Sequence, residues 1–184
     1  IKRLEPMLAT VIKIKKNREL TQNDLEEILI DATEIQIQRP KKKQREFYSG
    51  KKKKHTIKFE IQTDTSGKIL NISKAYCGKT HDFKIRKTSE HVPKDVTILA
   101  DSGYQGLQGI HPKTILPHKR KRKSKLSAEQ KTHNSALSSK RVSVEHVFAH
   151  LKKFKILGSI YRNFRKKLHL RFNIIAGIYN LRFG

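Results

Sequence analysis

Two short stretches decide the fold: Ile28-Leu29-Ile30-Asp31-Ala32-Thr33-Glu34 and Ile98-Leu99-Ala100-Asp101-Ser102-Gly103-Tyr104. In each, an apolar run of strand length ends on an aspartate. A third acid, Glu145, sits in the periodic segment Arg141-Val142-Ser143-Val144-Glu145-His146-Val147-Phe148, which reads as helix. Carboxylates at the ends of two buried strands, with a third on a helix packed beside them, make a site for two divalent cations. Phosphoryl transfer needs the charge on the attacking and leaving oxygens neutralised, and two ions about 3.5–4 Å apart supply this. Magnesium takes oxygen ligands and keeps several waters, so a few carboxylates suffice.

The rest of the chain is strongly basic. Lys and Arg number 42 against 16 Asp and Glu, a net charge of +26 over 184 residues. Such a balance points to a polyanionic partner, either nucleic acid or an anionic membrane surface. No apolar run approaches the roughly 18 residues of a membrane span, which excludes a transmembrane reading. Cys77 is the one cysteine, so no internal disulfide forms, which fits a reducing cytosol. The chain begins at Ile1 and reads as a piece of a longer protein.

Working outward, residues 1–24 read as a helical or linker lead-in. The first strand spans about Glu27 to Ile37 and stops before Pro40. A charged loop carries Lys41, Lys42, Lys43 and Arg45, then Lys51, Lys52, Lys53 and Lys54, with Phe47-Tyr48-Ser49-Gly50 between the two runs. His55, Ile57, Phe59 and Ile61 alternate with Thr56, Lys58, Glu60 and Gln62, which predicts a half-buried strand. A turn at Asp64-Thr65-Ser66-Gly67 leads to a hairpin partner through Leu70, Ile72 and Tyr76. Thr80-His81-Asp82 caps a short helix to about Ser89. Val96 to Ala100 reads as a strand buried on both faces, and Thr114-Ile115-Leu116 as a weaker strand stopped by Pro117. After the basic run His118 to Lys125, Ser127-Ala128-Glu129-Gln130 starts a long helix to about Phe154. A last helix covers roughly Leu168 to Arg182, with Leu170, Ile174, Ile178 and Leu181 at helical spacing. The order of elements predicts an α/β fold with a mixed sheet.

On the long helix, Val144, Val147, Phe148, Leu151 and Phe154 form an apolar stripe. Asn134, Ser138, Arg141, Glu145 and Lys152 form a polar one beside it. Arg141 and Lys152 are then placed to contact phosphates flanking the metals. The bland alternatives are an aspartate in an ordinary turn and a surface Arg141–Glu145 pair at i,i+4.

Taken in order, five pieces resemble a known family: Ile30-Asp31-Ala32-Thr33-Glu34; the basic run Tyr48 to Lys58; Gly78-Lys79-Thr80-His81-Asp82; Ala100-Asp101-Ser102-Gly103-Tyr104-Gln105-Gly106; and Asn134 with Arg141 to Phe148, Leu151 and Lys152. Each alone is weak, but the series, covering about Leu25 to Leu181, is specific. It resembles the catalytic domain of DDE-type transposases of bacterial insertion sequences, in the insertion sequence five group and its Harbinger-like relatives. The resemblance implies an RNase H-like mixed β-sheet flanked by helices over residues 25–184. It implies a catalytic and metal-binding triad of Asp31, Asp101 and Glu145 holding two Mg2+ ions, with Mn2+ as substitute. It also implies cleavage and strand transfer on double-stranded DNA (transposon ends and target), a homo-oligomer on that DNA, and a place at the bacterial nucleoid in the cytoplasm. Neither a membrane nor a small-molecule substrate is implied. Asp82 aligns with a recurrent family aspartate, read as a helix N-cap or an auxiliary group of the site; Asn134 and Arg141 are read as auxiliary. Family members carry an N-terminal DNA-binding segment, of which residues 1–24 are read as a linker or remnant.

Lys41, Lys42, Lys43, Arg45, Lys51 to Lys54, Lys119, Arg120, Lys121, Arg122, Lys152, Arg162 and Arg165 are the candidate DNA contacts, since phosphate contacts supply affinity without sequence information. Phe47 and Tyr48 have two readings, stacking on an unpaired base or ordinary packing. Tyr104 has two as well, a phosphate contact or a filler of the strand–loop junction. His146 and His150 have zinc spacing but no third ligand, and read as surface or DNA-facing residues. Two competing functions stand beside strand transfer: a nucleic-acid-binding derivative without catalysis, and a simple metal nuclease of the same fold.

Overall fold

The computed structural model describes residues 4–12, 14, 26–89, 92–120 and 125–183. At its centre lies β1 (Glu27–Gln36), whose Ile28, Leu29 and Ile30 are all buried. On one side β1 pairs antiparallel with β3 (Lys54–Asp64), setting Asp31 opposite Ile61. On the other side it pairs in parallel with β6 (Thr97–Ala100), setting Ile30 opposite Ala100. β7 (Thr114–Ile115) extends the parallel side. β2 (Tyr48–Ser49), β4 (Ile69–Ile72) and β5 (Tyr76–Cys77) all pair antiparallel with β3. The result is a mixed sheet, antiparallel first and parallel after a crossover, as the order of elements predicts, and it agrees with the RNase H-like fold that the resemblance implies.

Helices cover one face. α4 (Ala128–Lys153) starts at a reciprocal cap: the Ser127 hydroxyl accepts from the Gln130 amide, and the Gln130 side chain accepts from the Ser127 amide. α5 (Lys155–Gly158) turns the chain back at once. A Cβ on Gly158 would stand 2.0 Å from the Lys152 carbonyl oxygen, so only glycine permits that turn. α6 (Leu168–Asn180) completes the layer. Val147, Leu151, Leu168, Phe172, Ile175 and Tyr179 close over Ile35, Ile57, Phe59 and Ile61. The opposite face is covered by α3 (Asp82–Thr88) and the segments after β6, which bury Ile28, Ile30, Ile98 and Ala100 against Val96, Tyr104 and Leu107. Two further helices are α1 (Leu4–Val11) and α2 (Gln44–Phe47). Glu5 of α1 pairs with Arg171 of α6 at 2.7 Å.

Three sequence expectations need correcting. β3 is buried on both faces, not one: Thr56, Lys58, Glu60 and Gln62 are as inaccessible as the apolar set opposite them. Alternation of residue type was a poor guide because the polar face is neutralised internally. The Thr56 hydroxyl donates to Glu34 at 2.7 Å, and Lys58 donates to Asp82 and to the Thr80 carbonyl, both at 2.9 Å. Glu60 accepts from Arg86 at 2.8 Å. Second, the α6 stripe is displaced. Its core side chains include Leu168, Phe172, Ile175 and Tyr179, while Ile178 and Leu181 are 40% and 67% exposed. Third, Asp31 lies inside its strand and not at a strand end as the site reading has it, although the strand itself runs about as far as expected. β1 runs on to Gln36, and what ends at Ile30 is the parallel pairing with β6.

The Glu60–Arg86 pair gives a stability prediction. Burial holds the Glu60 carboxyl above its ordinary range although Arg86 pulls it down. Arg86→Ala leaves an uncompensated buried charge and is expected to cost about 3–5 kcal/mol in urea unfolding at neutral pH. A raised folded-state pKa means that ionisation opposes folding, so the loss shrinks as acid protonates Glu60. A pH-independent loss would show that packing, not the ion pair, is what Arg86 supplies.

Candidate active site and its basic surround

Strand periodicity places both aspartates. Leu29 and Leu99 lie under α4, packed with Leu137 and Val144. Asp31 and Asp101 each follow one of these leucines by two residues, so they point to the same face. β1 and β6 are neighbours in register, which sets the two carboxylates side by side. Backbone amides hold both: Ala32 donates to Asp31 at 2.7 Å, and Ser102 donates to Asp101 at the start of a short 3-10 turn, Ser102–Tyr104.

Arg141 lies between Leu137 and Val144 on the same helix face, and its guanidinium reaches both acids. It donates to Asp31 at 3.1 Å and stands 3.5 Å from Asp101. Arg141 therefore holds the two carboxylates rather than projecting toward a bound phosphate. Asp31 is the more enclosed, its side chain 20% exposed against 39% for Asp101. Burial raises its pKa; Arg141 and the Ala32 amide oppose this, while the charges of Asp101 and Asp82 add to it.

Glu145 follows Arg141 by one helical turn but is exposed. Among the described residues it makes no hydrogen bond or ion pair to either aspartate, and no three His, Cys, Asp or Glu side chains gather closely enough to hold a metal ion. The structure thus brings together Asp31, Asp101 and Arg141, and leaves Glu145 beside them.

The auxiliary candidates divide. Asp82 is not the N-cap of α3; His81 takes that position, without a side-chain hydrogen bond. Asp82 instead pairs with Lys58 at 2.9 Å, and a Cβ on Gly103 would lie 2.7 Å from its Oδ2. It therefore packs against the loop that carries Asp101. Asn134 serves the scaffold: its amide accepts from the His118 N–H at 2.8 Å and donates to the His118 carbonyl at 3.0 Å, clasping the loop after β7 to α4. Tyr104 is fully buried in the junction below Asp101, and its hydroxyl has no hydrogen-bond partner among the described residues. Burial first, then the charges of Glu60, Asp31 and Asp82, hold the phenol well above its ordinary pKa, so it stays protonated.

The described candidate basic residues are surface groups. Lys51 to Lys54 are exposed on the turn between β2 and β3. Burial and the charge of Lys52 lower the Lys152 pKa, while Glu34 and Asp31 oppose that shift, so one side chain feels both the lysine turn and the acidic pair. Lys41, Lys42, Lys43, Arg45, Lys119, Arg120, Arg162 and Arg165 are exposed too; Lys43 pairs with Glu46 at 3.6 Å, and Arg165 lies over the Phe47 ring at 4.6 Å. Lys121 and Arg122 fall outside the described residues. Phe47 packs against the core, whereas Tyr48 is exposed. His146 is exposed, and the His150 ring meets the His146 carbonyl at 2.9 Å. No described helix is long and apolar enough to cross a membrane.

Residues 30–180 match the family described as "DDE superfamily endonuclease". Over 155 residues the sequence is 41% identical to a protein of Microchaete diplosiphon named "Probable transposase for insertion sequence element IS702". That match covers 83% of this chain and 56% of the relative, so the chain spans little more than half of the relative's length. No solved structure matches.

The enclosed aspartate can be tested without substrate. Since its folded-state pKa is raised, ionised Asp31 costs stability once the pH passes that value. In metal-free buffer, Asp31→Asn is expected to raise the urea midpoint at neutral pH. The advantage should vanish as the pH falls through the raised folded-state value into the ordinary aspartate range, where the parent carboxyl is protonated in both the folded and the unfolded chain. A variant less stable than the parent at neutral pH would mean that Arg141 more than offsets the burial.

Proposed function

Because the chain belongs to the DDE superfamily endonucleases, we propose that it is the catalytic domain of an insertion-sequence transposase, cutting double-stranded DNA and transferring the freed strand. The observation that supports this best is the pairing of Asp31 and Asp101 on adjacent parallel strands, under the helix that also bears Glu145. Their donor set is all carboxylate oxygen, which suits a hard divalent cation such as Mg2+, with Mn2+ as substitute. The chemistry of the pair fits as well: two like charges where the β1–β6 pairing ends are offset by the Arg141 guanidinium.

Asp31 and Asp101 would hold two such ions, with Glu145 as third ligand; when bound, the ions lower the pKa of the attacking oxygen and neutralise charge on the phosphate. The chain's own contribution is positioning. The Ala32 and Ser102 amides fix the carboxylates before substrate arrives. Arg141 sets the spacing of the pair, and Lys152 with the Lys51–Lys54 turn supplies the cationic track for the DNA backbone. Residues 25–184 form the catalytic domain, and residues 1–24 are a linker to it or the remnant of a DNA-binding segment. Cutting two transposon ends calls for two such sites, hence a homo-oligomer assembled on DNA, acting at the nucleoid.

A second reading, DNA binding without catalysis, is favoured by one observation: Glu145 is exposed and Arg141 stands between the aspartates. Cleavage of a labelled duplex with Mg2+ separates the two. Asp31→Asn, Asp101→Asn and Glu145→Gln are each expected to abolish cutting while leaving DNA affinity equal or higher. A variant that cuts normally removes its residue from the site, and a parent chain that binds but never cuts supports the second reading. Replacing Lys51 to Lys54 with Ala is expected to flatten the dependence of log affinity on log salt by roughly 0.9 per lost phosphate contact. An unchanged slope would put that turn outside the interface.

A further inference from the structure

A second site lies away from the acidic pair. The loop after β1, helix α2 and the start of the β2–β3 hairpin surround a cavity of about 650 Å³, lined by Arg39, Gln44, Arg45, Tyr48, His55 and Lys79, with Gly50 at its edge. That volume falls within the roughly 300–1,000 Å³ of small-ligand pockets. We propose that it takes one nucleotide of an unpaired DNA strand, with the base against Tyr48 and the phosphate among Arg39, Arg45 and Lys79. The proposal rests on the DNA reading above and adds a separate subsite to it.

The lining holds cations, an aromatic ring and an amide, and no carboxylate. Glu46, on the same short helix, is engaged by Lys43. Gln44 accepts from Arg39 Nε at 2.9 Å, which orients the guanidinium and leaves its terminal amino groups for an anion. Lys79 is carried in by a turn that closes tightly on α2: its amide donates to the Glu46 carbonyl at 3.1 Å. A Cβ on the preceding Gly78 would stand 2.1 Å from the Thr56 hydroxyl oxygen, so glycine there permits the closure.

Tyr48 is the feature that points to a base. Its neighbour Phe47 turns inward to the core, but Tyr48 stays 41% exposed. His55 meets its ring at 5.5 Å and 71°, an edge contact that uses at most one ring face. A duplex backbone needs only the cations; an open aromatic face gains from a base that has left the stack. The placement suits one continuous DNA path. His55 lies six residues along β3 from Ile61, the partner of Asp31. At about 3.3 Å per residue the separation is about 20 Å, near the axial rise of six base pairs.

The test compares binding of the full chain to a blunt duplex and to the same duplex carrying a single-stranded extension, by fluorescence anisotropy at one salt concentration. Tyr48→Ala is expected to weaken binding to the extended DNA roughly tenfold and to leave blunt-duplex binding unchanged, because stacking is lost but phosphate contacts remain. Tyr48→Phe keeps the ring face and is expected to bind both as the parent does. Equal loss on both DNAs, loss on neither, or a Tyr48→Phe variant that behaves like Tyr48→Ala overturns the pocket while leaving the DNA reading intact. Failure of the parent chain to bind the blunt duplex overturns the DNA reading itself, and the pocket with it. Free deoxynucleotide that competes as well as the extension would assign the pocket to a small ligand instead and also overturn the proposal.

Discussion

Two carboxylates cannot share one end of a buried sheet without a cation beside them, and Arg141 is that cation. Its position is set by packing, not by the charges it serves. Leu137 and Val144 seat α4 on Leu29 and Leu99. Arg141 lies between them on the helix, four residues after one and three before the other, and so arrives over Asp31 and Asp101. The Ser127–Gln130 cap fixes where the helix begins, and the Asn134 clasp on His118 ties it to the loop beyond β7. A shift of α4 by one turn would strip the pair of its guanidinium. The register of one helix on two strands thus carries the electrostatics of the site.

The architecture was readable from the sequence because hydrophobic period and turn chemistry agreed for most elements. The buried runs at Ile28–Ile30 and Ile98–Ala100, the turn at Asp64–Gly67 and the helix start at Ser127 all stand where they were expected. The misreadings share a cause: local pattern does not record partners distant in sequence. The polar set Thr56, Lys58, Glu60 and Gln62 looked solvent-facing because Arg86 and Asp82 are far along the chain. On α6, two overlapping apolar stripes were available, and the sheet selected the one containing Phe172 and Tyr179. Within the site, Asp31 and Asp101 were visible as acids after apolar runs. A sharper signal is the leucine two residues before each acid, which marks one common face. The scaffold role of Asn134 and the pairing of Asp82 with Lys58 left no local trace, because both depend on tertiary contacts.

The positive charge is distributed by function as well as by number. Some cations are spent inside the protein: Arg86 on Glu60, Lys58 on Asp82, Arg171 on Glu5. Those on the β2–β3 turn face solvent, and one of them, Lys52, is felt by Lys152 next to the acidic pair. On the proposed reading, the DNA backbone runs between the aspartates and the Tyr48 pocket past the lysines of that turn. Such contacts fix where the backbone runs but carry no sequence information. On the proposed reading, choice of DNA sequence therefore does not come from these contacts.

Glu145 is the residue whose place most needs a physical account. Four residues beyond Arg141, it projects about 40° around the helix from it and roughly 6 Å farther along the axis. Val144 and Val147 are fully buried on either side of it, so α4 cannot rotate to bring Glu145 inward. Only its side chain can move. Electrostatics decides where that side chain goes. Asp31 is already held above its ordinary pKa beside the Arg141 guanidinium, and a third carboxylate brought into the same space would raise it further and repel both aspartates. With Arg141 as the one guanidinium bonded to the pair among the described residues, Glu145 therefore belongs in solvent, where it stands. Its convergence with the aspartates requires more positive charge than one arginine brings, which is why the proposed site assigns Glu145 to the metal-bound arrangement and Arg141 to holding the pair before it.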